Sequence, residues 1–397
     1  MAKISRSLVG AALFLALLSF QAKAVLAFCG FFVAKVDAEM FNNRSEVAIA
    51  RTDNRTTYNL AFNYKGAPKD FALVLPVPVV LKKEDVKVID AQLFERLDDF
   101  SAPRLVRYDD TYLEGDTSVN RSAQPAPAGG APVQVLERFT VGEYDVVILS
   151  ADESTALETW LRENDYKTPR GAARYLRPYI DAGMYFFVVR VNLEEQEKLG
   201  FQNLRPLQFG VPNGGEIMLP FQMGKINAED KQSVIIYFLT AQGRVEAKNY
   251  TNVMIPSNFN VPEEIEPRFG EFYQDLLAAT IKATGRETVV TEYAWDTGSC
   301  DPCSTQPLNG SEVRALGMNQ DSAFITRMHL QYTKNTYNQD LVFRLTRDTR
   351  TYQGRYILTP NSELVSAEAP NTAEVRAPYG KLLSAFPLEN LFTKYNP

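Results

Sequence analysis

The chain contains one histidine among 397 residues, and that scarcity removes much catalytic chemistry. A Ser-His-Asp or Cys-His centre has only His329 to work with, and no Gly-x-Ser-x-Gly nucleophile elbow occurs. P-loop, dinucleotide-binding, His-Glu-x-x-His and EF-hand signatures are also missing. Nothing in the sequence calls for a cofactor. Basic residues are outnumbered, 42 Lys and Arg against 48 Asp and Glu, for a formal net charge of -6. That balance leaves no electrostatic footprint for nucleic acid or for an anionic membrane surface. After the first 27 residues no stretch approaches the run of about 20 apolar residues that a spanning helix needs, so no transmembrane anchor is expected. Cysteine is scarce as well: Cys29, Cys300 and Cys303 are the whole inventory.

What is present begins with an address. Lys3 and Arg6 form a positive start, Leu8 to Phe20 is apolar, and Ala22-Lys23-Ala24 or Val25-Leu26-Ala27 offers a small-residue cleavage site. This is the pattern of a secretory signal over residues 1–27, too short and wrongly flanked for a span. Phe28 occupies the position before Cys29 where lipid-modified chains keep a small residue, which argues against acylation of Cys29. An exported protein, periplasmic or extracellular, is expected.

The remainder is 45% hydrophobic and 23% charged over the whole chain, a globular composition, and it is longer than one core usually serves. Residues 115–132 read GDTSVNRSAQPAPAGGAP, which cannot bury enough surface to offset the entropy of ordering it. Taken as a linker, this segment separates a β-rich N-terminal domain at 28–114 from a middle α+β domain at 133–260. A C-terminal α+β domain at 261–397 carries the Cys-x-x-Cys.

Residues 46–51 and 56–62 predict a hairpin. In 71–80, Pro76 and Pro78 remove ladder donors and place the second half at an edge or in an extended connection. Helices are expected over 90–100, 152–164, 169–182 and 269–283. Pro178 predicts a kink or early end in the third, and Gly183 its stop. The strongly apolar 144–150 and 184–192 read as strands of one sheet. Further strands are expected over 204–211, 217–223, 233–239, 244–253, 288–295, 323–332, 341–346 and 355–358. The fold class is therefore β-rich α+β, mainly antiparallel, with a few packed helices. Most of the tyrosines spread through the C-terminal half (Tyr237, Tyr250, Tyr293, Tyr332, Tyr337, Tyr352 and Tyr356) are expected to be sheet core. Lining of a carbohydrate or peptide groove is the functional alternative for a minority.

Several stretches together resemble a known family. They are Phe28-Cys29-Gly30-Phe31-Phe32, Ala67-Pro68-Lys69-Asp70-Phe71 and Pro76-Val77-Pro78, then Tyr293-Ala294-Trp295-Asp296, Cys300-Asp301-Pro302-Cys303 and Gln353-Gly354-Arg355-Tyr356. The combination is similar to the bacterial DUF2330 family of exported proteins of unknown function, over about residues 28–360. The resemblance implies export and leaves activity open.

Three chemistries compete for the cysteines. An oxidising compartment favours a structural disulfide among Cys29, Cys300 and Cys303. A bond from Cys29 would close a loop of about 270 residues, worth up to roughly 5 kcal/mol in the chain-entropy picture. Thiol–disulfide exchange at Cys300 and Cys303 is the alternative, echoed by Pro302. However, the Ser304–Gly310 segment that follows is loop-like rather than the helix N-terminus that lowers a thiol pKa. Cys29, Cys300, Cys303 and His329 also make an acceptable zinc inventory, without the usual paired spacing. The sequence thus points to a non-catalytic binding or scaffold protein of the cell envelope with a structural disulfide. Its partner, an envelope protein or a ligand, is not named by any motif.

Overall fold

In β12 (Gln232–Thr240) Val234, Ile236 and Phe238 face one side and Ile235, Tyr237 and Leu239 the other, and all six are buried. A strand apolar on both faces lies between two layers. The computed structural model describes residues 31–34, 44–61, 71–107, 135–150, 154–164, 166, 171–192, 194–195, 198, 204–227 and 231–360. The expected signal (1–27), Cys29 and the segment 115–132 lie outside these residues.

A nine-stranded sheet forms the centre. Its order is β14 (Thr251–Met254), β16 (Thr288–Asp296), β17 (Phe324–Tyr332), β12, β2 (Arg44–Arg51), β3 (Arg55–Ala61), β10 (Leu207–Pro212) and β5 (Val86–Val88). The short β19 (Tyr352–Gln353) also pairs with β16. A five-stranded sheet runs β1 (Phe31–Ala34), β4 (Phe71–Val77), β9 (Tyr185–Val191), β8 (Tyr144–Leu149), β7 (Val135–Val141). Two three-stranded sheets complete the set. One is β11 (Ile217–Leu219), β18 (Leu341–Leu345), β13 (Val245–Ala247), and the other is β15 (Phe259–Pro262), β20 (Arg355–Thr359), β6 (Arg104–Val106). Most pairings are antiparallel; β12 with β2, β14 with β16, β15 with β20 and β20 with β6 are parallel. This is the β-rich α+β fold expected from the sequence. The nine-stranded sheet takes strands from each of the three expected segments, so one sheet knits residues 44–61, 207–254 and 288–353 together.

Alternation then stacks the layers. Val47, Ile49, Val234, Ile236 and Phe238 meet Leu73, Leu75, Phe187 and Val189 of the five-stranded sheet in the largest core. On the far side of that sheet, Val74, Phe186 and Val188 pack on helices α2 (Ser154–Glu163) and α3 (Ala172–Asp181). On the far side of the nine-stranded sheet, Ala48, Ile235, Tyr237 and Ile325 are covered by α1 (Gln92–Ser101) and α5 (Gly310–Ala315). Helix α4 (Phe269–Thr284) packs on Val290 and on the β15–β20 pair. The order is helix, sheet, sheet, helix. Tyr237, Tyr293, Tyr332, Tyr337 and Tyr356 are all fully buried, as sheet core should be.

The hairpin forms as expected, β2 pairing with β3 across Thr52–Asn54. In β4, pairing with β1 stops at Val74 while pairing with β9 continues to Val77, so the proline-bearing half is bonded on one side only among the described residues. Three expectations need correction. Residues 244–253 form two strands in different sheets, because the Asn252 amide bonds Ala247 N–H and C=O at 2.8 Å each and takes over the ladder positions. The strand expected over 217–223 ends at Leu219, where Pro220 has no N–H to donate and Phe221–Asn227 turns into a 3-10 helix. Of the kink or early end expected at Pro178, the early end does not occur: helix α3 runs to Asp181 and closes with Ala182 N–H on Pro178 C=O, with Gly183 at φ 68° as the expected stop. Helix α5 was not expected, although Asn309 and Glu312 make a reciprocal capping box readable in the sequence.

Candidate functional site

Strand β16 leads directly into the cysteine loop. At its end the Asp296 carboxylate accepts from Gly298 N–H at 2.9 Å and from the Ser299 hydroxyl at 2.8 Å. The Trp295 indole N–H reaches the same hydroxyl at 3.1 Å, and the Tyr293 hydroxyl donates to Ser299 C=O at 3.2 Å. This turn delivers Cys300 half-buried against the core beneath α1 and leaves Cys303 exposed. The two sulfurs are disulfide-bonded, and the Asp301–Pro302 peptide between them is cis.

Side chains from distant segments hold the loop. The Gln353 amide donates to Asp301 C=O at 3.1 Å and to Pro302 C=O at 3.2 Å. Arg355 Nη1 donates to the Asp301 carboxylate at 3.0 Å. Arg104, buried at the start of β6 just after α1, donates to Phe100 C=O at 2.6 Å and to Pro302 C=O at 3.4 Å. Past the disulfide, Arg96 donates to Thr305 Oγ1 at 2.9 Å, Gln306 C=O at 2.8 Å and Glu312 at 2.8 Å. The Tyr293–Asp296 and Gln353–Tyr356 stretches, far apart in sequence, are thus brought together: β19 pairs with β16, and Gly354 N–H donates to Glu292 C=O at 2.8 Å.

Beneath the loop lies a buried polar cluster. Glu292 is the extra residue where the β16–β17 register shifts between Thr291 and Tyr293. A bulge re-aims a side chain, and here it turns a carboxylate into the protein with no exposure. Glu292 Oε2 accepts from Arg327 Nε at 2.6 Å, and Oε1 from His329 Nδ1 at 2.7 Å and from the Tyr273 hydroxyl of α4. Arg327 also donates to Asp98 of α1 at 2.6 Å and lies 5.3 Å from the Tyr237 ring. Burial pushes the Glu292 carboxyl up, but attraction to His329 and Arg327 and the hydrogen bonds from His329 and Tyr273 outweigh it and bring the pKa down to about 2. The same burial, beside Glu292, drives the Tyr273 phenol well above its ordinary value. His329 Nε2 is buried without a hydrogen-bond partner among the described residues.

Of the candidate residues, the structure brings Cys300 and Cys303 together and sends His329 to Glu292 instead. Among the described residues no group of three or more His, Cys, Asp or Glu is placed to hold a metal ion. Glu292, Tyr273, Arg327, Arg104 and Arg96 were not anticipated. Only the alternation of Arg327, His329 and Gln331 with Met328, Leu330 and Tyr332 signalled a polar strip on one face of β17.

Chemically, both Glu292 oxygens are occupied and its charge is neutralised, which makes it a structural counter-ion rather than a proton acceptor. The nearest downstream helix starts at Gly310, so the segment that follows Cys303 is a loop and not a helix N-terminus of the kind that stabilises a thiolate. Among the described residues no helix is long and apolar enough to cross a membrane.

Neither a curated protein nor a solved structure matches the chain. A family model does match, over residues 23–344, and its description is an uncharacterized protein conserved in bacteria, DUF2330. With most of its length covered by that match, the chain belongs to the DUF2330 family.

Proposed function

We propose that this is an exported cell-envelope protein that acts by binding rather than by catalysis, with the Cys300–Cys303 disulfide clamping a surface loop into one shape. The observation that carries the reading is the loop's fixation by Arg104, Gln353 and Arg355, reached from two separate parts of the chain. Groups so held lose little entropy when a partner docks. The outer side of the loop presents the Asp301 carboxylate and Cys303, with half-buried Trp295 alongside, a mixed polar and aromatic surface suited to recognition.

A second reading, an extracytoplasmic thiol–disulfide oxidoreductase, is favoured by one specific observation. Cys303 is exposed, as a sulfur that an outside thiol attacks must be.

The Cys300→Ser, Cys303→Ser double variant separates the two. A four-residue loop is short, so the crosslink contributes about 2 kcal/mol in the chain-entropy picture. The melting temperature of the variant is expected to fall by a few degrees. Wild type and variant are expected to be equally inert in a turbidity assay of insulin reduction. Insulin reduction by the wild type that the variant lacks would favour the oxidoreductase. An unchanged melting temperature would remove the clamp.

A further inference from the structure

The 3-10 helix Phe221–Asn227, between β11 and β12, buries Lys225 to 2% exposure. Its Nζ is held among uncharged oxygens. It donates to Thr336 C=O at 2.8 Å and to Tyr337 C=O and Gln222 Oε1 at 3.3 Å, and Asn338 Oδ1 lies 3.4 Å away. Lys225 forms no ion pair among the described residues. A buried ammonium without a counter-ion is costly, which drives the group toward the neutral amine. Burial does lower its pKa, and that outweighs the attraction of Glu287 and Asp340. The facing loop presents Asn338. Gln222 donates its amide N–H groups to Tyr337 C=O and, at 2.8 Å, to Gln339 C=O, the carbonyls of both neighbours of Asn338. Tyr337 is buried and takes φ 53°, left-handed backbone that is rare in an aromatic residue. Its hydroxyl donates to Thr288 C=O at 2.8 Å and its N–H to Glu287 at 3.1 Å, which holds the turn. Such a conformation persists only where its surroundings enforce it, as they do at functional sites.

We propose that Lys225 and Asn338 join in an intramolecular isopeptide bond, which the folded protein forms on itself. Neutral Nζ attacks Asn338 Cγ, one bond from the Oδ1 that it already approaches. The Nζ–Cγ bond forms, the Cγ–Nδ2 bond breaks, and the Nδ2 group leaves as ammonia. One proton passes from Nζ to the departing nitrogen, so the step needs no oxidant, reductant or co-reactant. Asp340, two residues beyond Asn338, is the acid suited to carry that proton. It interacts electrostatically with Lys225, and burial raises its pKa and favours the protonated form. Its Oδ1 is fixed by the Tyr179 hydroxyl at 2.8 Å and by Gln222 N–H at 2.9 Å. Asn338 is exposed, which lets ammonia escape. The product replaces a buried amine with an amide and ties the 3-10 helix to the β17–β18 loop, 113 residues away in sequence. Unlike the Cys300–Cys303 bond, this crosslink survives reduction.

The crosslink is independent of the cysteine loop, so neither test bears on the other. The full chain, purified and reduced, is analysed by intact mass spectrometry and mapped after trypsin. Its mass is expected to fall about 17 Da, one ammonia, below that of the same reduced sequence without the bond. The map is expected to hold a branched peptide that joins residues 335–344 to the segment containing Lys225, with no cut after Lys225. Lys225→Arg, which keeps a cation with N–H donors, is expected to restore the full mass. A wild type at full mass, with trypsin cutting after Lys225, overturns the proposal whether or not the variant folds. A deficit without the branched peptide, or one that Lys225→Arg retains, reports a cyclised asparagine instead and overturns it equally.

Discussion

Glu292→Ala is expected to lower the unfolding free energy by about 3–5 kcal/mol, the cost of breaking a buried ion pair from one side. The side chain is fully buried, and its loss strands Arg327 Nε, His329 Nδ1 and the Tyr273 hydroxyl in the interior together. Asp98 still meets the other end of Arg327, so the guanidinium keeps one partner, and the expected loss stays within that range. The same cluster fixes an acid response. The Glu292 pKa is depressed from 4.5 to about 2 in the folded state, so its contribution is fully present above 4.5 and is lost as the pH falls through about 2. The span amounts to about 3 kcal/mol. Urea unfolding at neutral pH and again across the interval from 4.5 to 2 measures both. The wild type should lose stability over the acid interval, and the variant should change less there. A loss at neutral pH below about 1 kcal/mol would show that the cluster is not the counter-ion core described above.

Gly317→Ala is the second large effect, with an expected cost of about 2–5 kcal/mol from backbone strain and overpacking combined. Gly317 follows α5 at φ 109°, and a Cβ there would lie 2.6 Å from Cβ and Cγ2 of Thr57 on β3. The close approach is part of the architecture. Asn59, two residues along the same strand, donates to Leu316 C=O at 2.9 Å and to Ala48 C=O at 2.9 Å, tying the end of α5 to the sheet. Backbone cannot retreat there without breaking those bonds. Gly270 is the internal control. It sits in the first turn of α4 with nothing within 4 Å of the Cβ position, so Gly270→Ala should be neutral or stabilising by up to about 1 kcal/mol. Equal melting temperatures for the two variants would contradict the docking of α5 on β3.

Much of the fold was legible because single residues punctuate it. Thr52-Asp53-Asn54 marked the first hairpin, the apolar runs of 144–150 and 184–192 marked two strands of one sheet, and Gly285 at φ 63° closes the helix expected over 269–283. Strand pairing between distant segments was not legible. Nothing local to Glu46–Arg51 says that β2 lies parallel to β12, because that neighbour is chosen by which faces remain to be covered. The site divides in the same way. Cys300, Cys303 and the glutamine and arginine of Gln353-Gly354-Arg355-Tyr356 were visible as landmarks, and the structure shows the latter two holding the former. Glu292 was hidden among β-prone residues, since a one-residue bulge leaves no mark in the periodicity until the partner strand is known. Arg104 was equally hidden. An arginine after a helix reads as solvent-exposed until the carbonyls of Phe100 and Pro302 are seen to converge on it.

The equilibrium reduction potential of the Cys300–Cys303 bond, measured against glutathione or dithiothreitol buffers, tests the clamp most directly. A disulfide whose loop is fixed by Arg104, Gln353 and Arg355 is stabilised relative to the freed dithiol, and the potential should lie below about -300 mV, where structural bonds fall. A value between about -120 and -270 mV, the range of thiol–disulfide exchange proteins, would contradict the clamp and make Cys300 and Cys303 the working pair.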